Sequence, residues 1–454
     1  MNDLKFFTRI QIFFYFFSFI QTICVILTQI KNQLIKEAHM NAIITSLLET
    51  DLYKFSMGQA IFHQFPGYKT TWTFKCRNTD VKFTSEMVEE IKFQLKEYCK
   101  LSFKEEELDY LHNIGAIKDK DGNIVKKGWI KGSYVDFLRI WRPRYEDFEI
   151  TTNAPCGLSI ETKGTWLNTS MYEIPTLAIV NEVYFKYAYK YDDLKEQFIR
   201  KLDEKVKLLQ DGNYELGAFS EFGLRRRLSA ECQEMAVKKL SEAKLDNRST
   251  FIGTSNVYLA KKYNLKPTGT MAHEWIMCVG QGNRSINPAY SNLYAMRAWV
   301  NEYKVQNGTA LTDAITTDCF LRDFDEEFAT VFSGVRHDSG DPYVWGDKII
   351  AHYKKLGIDP MTKTLLFSDS LNFEKATKLK RYFEGKAKVA FGIGTYIAND
   401  TDVTPLNIVM KTTICNSGDV AKISDTPGKG MCKNPEYVDY LQRAIDWRMN
   451  HAEM

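Results

Sequence analysis

Downstream of Trp166 the chain alternates between short apolar runs and longer stretches in which apolar residues recur every three to four positions. Side chains repeat at 2 residues along a strand and 3.6 along a helix, so the first kind predicts strands and the second helices. Helical spacing covers Pro175 to Tyr191, Asp193 to Leu209, Ser229 to Leu245 (with Ser229 as N-cap), Pro288 to Tyr303 and Gly346 to Leu356. Strand-like runs are Thr250 to Ser255, Leu311 to Thr317, Phe328 to Phe332, Thr364 to Leu366 and Val389 to Phe391. The Lys- and Glu-rich face of Asp193 to Leu209 reads as solvated. Upstream, Met40 to about Thr169 reads as mixed α/β. Phe55 to Phe65 is an amphipathic stretch closed by Pro66-Gly67, Thr70 to Phe74 is β-like, Glu86 to Leu101 is helical, and Lys118 to Asn123 is a polar turn. After Pro405, a strand over Leu406 to Ile414 and a helix over Asn434 to Asn450 are expected.

The first 39 residues break this pattern. Ile12 to Ile30 is strongly apolar and flanked by Lys5, Arg9, Lys31 and Lys36. A run of that length suits a membrane anchor or a signal sequence, yet Gln21, Thr22 and Gln29 interrupt it and no small-residue cleavage site stands out. The expectation is that the working chain starts at Met40 and that residues 1–39 are a mis-assigned upstream stretch, with a membrane anchor as the alternative. At 454 residues, more than one core is expected. With 44% hydrophobic and 26% charged residues the chain reads as globular. Sixty basic against 57 acidic residues leave a formal charge of +3, which asks for no nucleic-acid partner. Nine cysteines stand singly, without Cys-x-x-Cys pairs, so neither a zinc site nor a disulfide framework is expected, and a reducing cytoplasm fits.

The chemistry gathers between the apolar runs and the helices that follow them. In Ser333-Gly-Val-Arg-His-Asp-Ser-Gly-Asp-Pro342, Ser339 and Gly340 allow close approach to the backbone, and Asp338 and Asp341 suit a sugar hydroxyl or a divalent cation. Arg336 offers a planar fork for a carboxylate or phosphate. Taken alone, the stretch is equally a turn with solvated charges. Two further loops share its character: Phe367-Ser368-Asp369-Ser370, and Phe391-Gly392-Ile393-Gly394-Thr395, whose glycines and Thr395 hydroxyl suit a phosphate. Three loops in this register suggest the rim of a β/α barrel and a site for a phosphorylated sugar. His273, after Gly269-Thr270, is either a nucleophile or a structural histidine. Of Arg225, Arg226 and Arg227, at least one must serve the surface or a salt bridge.

These segments, together with Thr50-Asp-Leu-Tyr53-Lys-Phe-Ser-Met57, Glu221-Phe222-Gly-Leu-Arg225-Arg-Arg227 and Gly269-Thr270-Met-Ala-His273-Glu-Trp275, resemble the nicotinate phosphoribosyltransferase family, in the same order and from about Met40 to near the C-terminus. The resemblance implies an α/β fold: an irregular, incomplete β/α barrel over residues 171–405. A second α/β domain would form from residues 40–170 and a tail, 406–454, returning to it. It implies transfer of phosphoribose from phosphoribosyl pyrophosphate to nicotinate, with Mg2+ on the phosphates and ATP as co-substrate through a phosphohistidine at His273. Asp338 is expected to be catalytic. Tyr53, Phe222, Thr270 and Arg336 are expected around the nicotinate, with Tyr53 arriving from the neighbouring subunit of a homodimer. Arg225, Ser339, Gly340, Asp341, Ser368, Asp369, Gly392, Gly394 and Thr395 are expected around the phosphoribosyl pyrophosphate. The rival expectations are a nicotinamide-using relative and a catalytically silent, membrane-tethered binder of phosphorylated sugars.

Overall fold

The computed structural model describes residues 41–269, 271–426 and 430–451. The expected apolar extension, its membrane-anchor alternative and Thr270 lie outside the described residues. No helix among the described residues is long and apolar enough to cross a membrane.

In chain order the strands are β1 (Lys69–Cys76), β2 (Ile117–Lys118), β3 (Ile124–Lys126), β4 (Phe148–Thr151), β5 (Ser159–Thr165), β6 (Gly217–Glu221), β7 (Ser249–Thr254), β8 (Lys266–Pro267), β9 (Thr309–Leu311), β10 (Gly334–His337), β11 (Thr364–Phe367), β12 (Lys388–Ile393), β13 (Ile408–Cys415) and β14 (Gly418–Asp419). Strands β6 to β12 build one sheet in the order β8-β7-β6-β12-β11-β10-β9, with every neighbouring pair parallel. Parallel neighbours need crossovers, and the helices Ala230–Glu242, Pro342–Lys355 and Phe373–Phe383 supply them. Strands β8 and β9 stay at the edges, so the barrel is incomplete. The second sheet, β14-β13-β1-β5-β4, is antiparallel and pairs the tail strand β13 with β1.

Local signals set many boundaries. Ser229 caps its helix by accepting from the Cys232 amide, and Asn434 caps the C-terminal helix Pro435–Asn450 ahead of a proline at N1. Three readings needed correction. The Phe328 to Phe332 run is not a strand: Glu326–Val331 is a helix whose cap, Asp325, accepts from the Phe328 amide, and the strand is the signature itself, Gly334–His337. The strand expected over Leu311 to Thr317 ends at Leu311. The backbone then turns at Thr316 (φ 69°), which caps the helix Thr317–Asp323. The helix Leu52–Gln64 is not amphipathic, because its first ten residues are all buried. It lies inside the fold, and its Lys54 is held between Glu173 (2.8 Å) and Glu274.

Candidate active site

The strand ends of the parallel sheet carry the site. Arg336 is the third residue of β10, and its Nε is buried with no hydrogen-bond partner. It lines a cavity of about 760 Å3 together with Phe222, Thr268 and Gly269. Phe222 follows β6 and is fastened by its amide to Ile393 O at 2.8 Å. A Cβ on Gly392 would stand 2.3 Å from the Phe222 ring, so Gly392 makes room for an aromatic wall. This corrects its expected place in a phosphate cradle: Gly392 is buried within β12. Gly394 and Thr395 are half-buried at the end of that strand, where Thr395–Ala398 begins a short helix.

His273 opens the helix His273–Gln281 and is buried. Its Nε2 lies 2.9 Å from Asp313 Oδ1 and 3.7 Å from Asp338 Oδ2. The other Asp313 oxygen accepts from Ser339 Oγ (2.5 Å) and Lys422 Nζ (2.8 Å). Burial, followed by the Lys422 ammonium, pushes the His273 imidazole down to about 4 against the pull of Asp313. Burial alone would raise Asp313, but His273 and Lys422 outweigh it and hold the carboxyl well below its ordinary range. The pair is therefore a neutral imidazole donating Nε2–H to an ionised carboxylate, which leaves the Nδ1 lone pair for chemistry. Asp338 accepts from Ser368 Oγ at 3.1 Å; burial and Asp313 push its carboxyl up, but Arg336, His273 and Lys422 together outweigh them and hold it below its ordinary value.

Three of the expected phosphate-binding groups spend their polar atoms within the protein. Ser339 donates to Asp313, the Gly340 amide donates to Thr426 Oγ1 at 2.8 Å, and Asp341 caps the helix Pro342–Lys355 through the Tyr343 and Val344 amides. The arginine question also resolves. Arg227 is buried against Glu49 at 3.0 Å. Arg225 stands 3.8 Å from Asp51 and 3.7 Å from Glu173, beside Tyr53, whose buried hydroxyl has no hydrogen-bond partner. Burial and then Arg225 push Arg226 down to about 10, while Asp338 and Asp369 pull it back. Both Arg225 and Arg226 thus belong to the site's electrostatics. Tyr53 was expected from a neighbouring subunit; within the chain it already lies beside Arg225, and its backbone amide approaches Gly269, which sits at φ 126°.

Known proteins resemble this chain in sequence and fold. Residues 218–448 match the profile of the nicotinate phosphoribosyltransferase family, and residues 48–181 match the profile of its N-terminal domain. A nicotinate phosphoribosyltransferase of Verminephrobacter eiseniae is 41% identical over 419 residues, spanning 89% of this chain and 98% of that one. One from Cupriavidus necator is 42% identical over 408 residues, spanning 88% and 98%. Among solved structures, the nicotinate phosphoribosyltransferase of Porphyromonas gingivalis aligns with a TM-score of 0.77 at 32% identity, over 89% of this chain and all of that one. That of Vibrio cholerae aligns with 0.78 at 34% identity, over 89% and 94%. The chain belongs to the nicotinate phosphoribosyltransferase family.

Sequence reasoning missed part of this enzyme's site. Asp313, just past β9, is the carboxylate that orients His273. Lys422 and Lys411, which lies 3.4 Å from Glu173, come from the tail and carried no local signal. They arrive because Ile423 bridges in parallel to Ile315, its amide bonding Ala314 O at 2.9 Å, which delivers Lys422 beside Asp313. Glu274 points away from His273's partners, toward Lys54, Ser170 and Trp166. Ligand atoms of His273, Asp313 and Asp338 lie within 4.8 Å of one another. Asp313 is already engaged by Lys422, Ser339 and His273, so Asp338 is the better oxygen donor for a hard cation.

Proposed function

We propose that this enzyme joins nicotinate to phosphoribosyl pyrophosphate, forming nicotinate mononucleotide and pyrophosphate, and couples the transfer to ATP hydrolysis through phosphorylation of His273. It would act in NAD salvage in the cytoplasm, as a homodimer with shared sites. The observation that carries this is the cavity wall at Arg336. A half-buried arginine whose Nε is buried without a partner, beside an aromatic ring and at the strand ends, suits a planar aromatic carboxylate. Phe222 and Tyr53 are the rings to hold the pyridine, and Thr270 is assigned to the nicotinate from its motif alone. Asp338, Ser368, Asp369, Gly394, Thr395, Arg225 and Arg226 surround the phosphoribosyl group.

In the transfer, the bond from the anomeric carbon to pyrophosphate breaks and its electron pair leaves with pyrophosphate, while the pyridine nitrogen lone pair forms the new C–N bond. Positioning and charge stabilisation supply the rate. Magnesium carried on the substrate phosphates would meet Asp338 and offset charge on the departing pyrophosphate. For the coupling, the His273 Nδ1 lone pair attacks the γ-phosphorus of ATP, the bond to the bridging oxygen breaks, and ADP leaves. The phosphohistidine is then discharged by water. The test is pyrophosphate release with nicotinate present or absent, repeated with nicotinamide and with and without ATP. Release with nicotinate alone supports the acid-using transferase. Preference for nicotinamide, or no release with either, overturns it. His273→Ala should lose the acid-labile phosphoenzyme and keep a slow, ATP-independent transfer.

A further inference from the structure

The cavity beside Arg336 does not end at the pyridine subsite. Inward positions alternate along the strands, and the register places Arg336, Leu366, Ala390 and Ala218 on one level of β10, β11, β12 and β6. A filled barrel closes such a level with bulky side chains. Here two of the four are alanine, and the interior stays open at about 760 Å3. Beyond that level the wall continues to the strand starts: Thr309 opens β9, Thr364 opens β11, and Ser333 precedes β10. The cavity therefore has one end at Phe222 and Gly269 and another at the opposite edge of the sheet, where Ser333 is exposed.

The far end has its own chemistry. Asn307 Nδ2 is a buried donor with no hydrogen-bond partner, and it lines the same cavity as the partnerless Arg336 Nε and Thr268 Oγ1. Buried donors are rarely left unmade, so three along one cavity mark a polar path. Lys126, exposed on β3, adds a cation to the lining, with Trp129 edge-on to Tyr303 at 5.6 Å. Every one of these groups can donate or is a cation, with Thr268 and Asn307 able to accept as well. Small anions are the ligands that such a lining draws in.

We propose that the far end is a second mouth of the active site: an anion port through which a small aromatic carboxylate reaches Arg336 while phosphoribosyl pyrophosphate covers the strand C-termini. The port rests on nicotinate being the acceptor and makes the order of substrate binding free, since each substrate has its own entrance.

Ser333→Trp tests the port by placing an indole at the mouth. Ser333 is exposed, and its hydroxyl donates to Gly308 O at 2.9 Å, outside the reacting groups. At saturating phosphoribosyl pyrophosphate, kcat/KM for nicotinate should fall at least tenfold in this variant. Lys126→Glu should lower it several-fold, most at low salt, where steering is least screened. KM for phosphoribosyl pyrophosphate should not move. A second readout needs no turnover. In Ser333→Cys, modification by a bulky thiol reagent should slow nicotinate association, followed by tryptophan fluorescence with phosphoribosyl pyrophosphate already bound. Wild-type nicotinate kcat/KM in Ser333→Trp, or unchanged association after modification, overturns the port. Slowed association in a protein that releases no pyrophosphate would support the port and overturn the transferase instead.

Discussion

Asp313→Asn separates orientation of His273 from its protonation. In the wild type, Asp313 Oδ1 accepts Nε2–H at 2.9 Å and thereby fixes the tautomer that leaves Nδ1 free. An asparagine can turn its amide N–H toward Nε2 and stabilise the opposite tautomer, with the proton on the attacking nitrogen. Asp313 also raises the imidazole, against burial and Lys422. Its removal pushes His273 further down, so the ring stays neutral near pH 7 and lost protonation control cannot explain any defect. Replacing the carboxylate that orients a catalytic histidine by an amide costs on the order of 10^4 in rate, or about 5 kcal/mol of activation free energy. Lys422 keeps an amide oxygen to donate to but loses a charged partner, which costs about 1–3 kcal/mol of stability. The assay is single-turnover formation of acid-labile phosphoenzyme from radiolabelled ATP, beside ATP-independent pyrophosphate release. Phosphorylation should fall by about four orders of magnitude, while the uncoupled transfer persists. Phosphoenzyme formation at the wild-type rate in a folded Asp313→Asn enzyme would refute the assignment of Asp313.

Four other perturbations bear on the same geometry. Lys422→Met removes a cation that depresses His273, so the acid limb of phosphoenzyme formation should move up from about 4 toward the ordinary imidazole value. A pH series on wild type and variant checks this, and an unmoved or lowered limb counts against it. Folding stability carries the same sign. His273 binds protons more weakly folded than unfolded, so wild-type stability should fall as pH drops from about 6.5 toward about 4, and His273→Gln should flatten that slope in urea titrations. Arg336→Lys keeps the charge but loses the fork, so KM for nicotinate should rise over tenfold, on the order of 1.5–3 kcal/mol, with KM for phosphoribosyl pyrophosphate unchanged. Gly392→Ala drives a methyl group into the Phe222 ring, 2.3 Å from its built Cβ. It should cost about 1–3 kcal/mol in thermal unfolding and weaken nicotinate binding, and an unaltered Tm and KM would show that the ring has room to move.

What the sequence determined by itself was local. The crossover helices Ala230–Glu242 and Pro342–Lys355, the strands at Thr364 and Val389, and the N-caps at Ser229 and Asn434 follow from periodicity and short-range hydrogen bonding, which neighbouring residues carry in full. The motif runs were legible as a group, although only Asp338 lies past a strand end: Arg336 stands within β10 and His273 opens a helix. Misreadings came where a local pattern had two solutions. Phe328 to Phe332 is apolar enough for a strand, and the cap at Asp325 decides for a helix. The glycine at 392 suits a phosphate until the Phe222 ring occupies the space beside it. The partners of those motif residues were decided by tertiary structure alone. Asp313 meets His273 across 40 residues, and Lys422 meets Asp313 across 109. Nothing within reach of either side chain in sequence encodes that meeting. It arises because the tail must satisfy its backbone groups against the segment after β9, and burial then turns an ordinary lysine and aspartate into the charges that set the histidine.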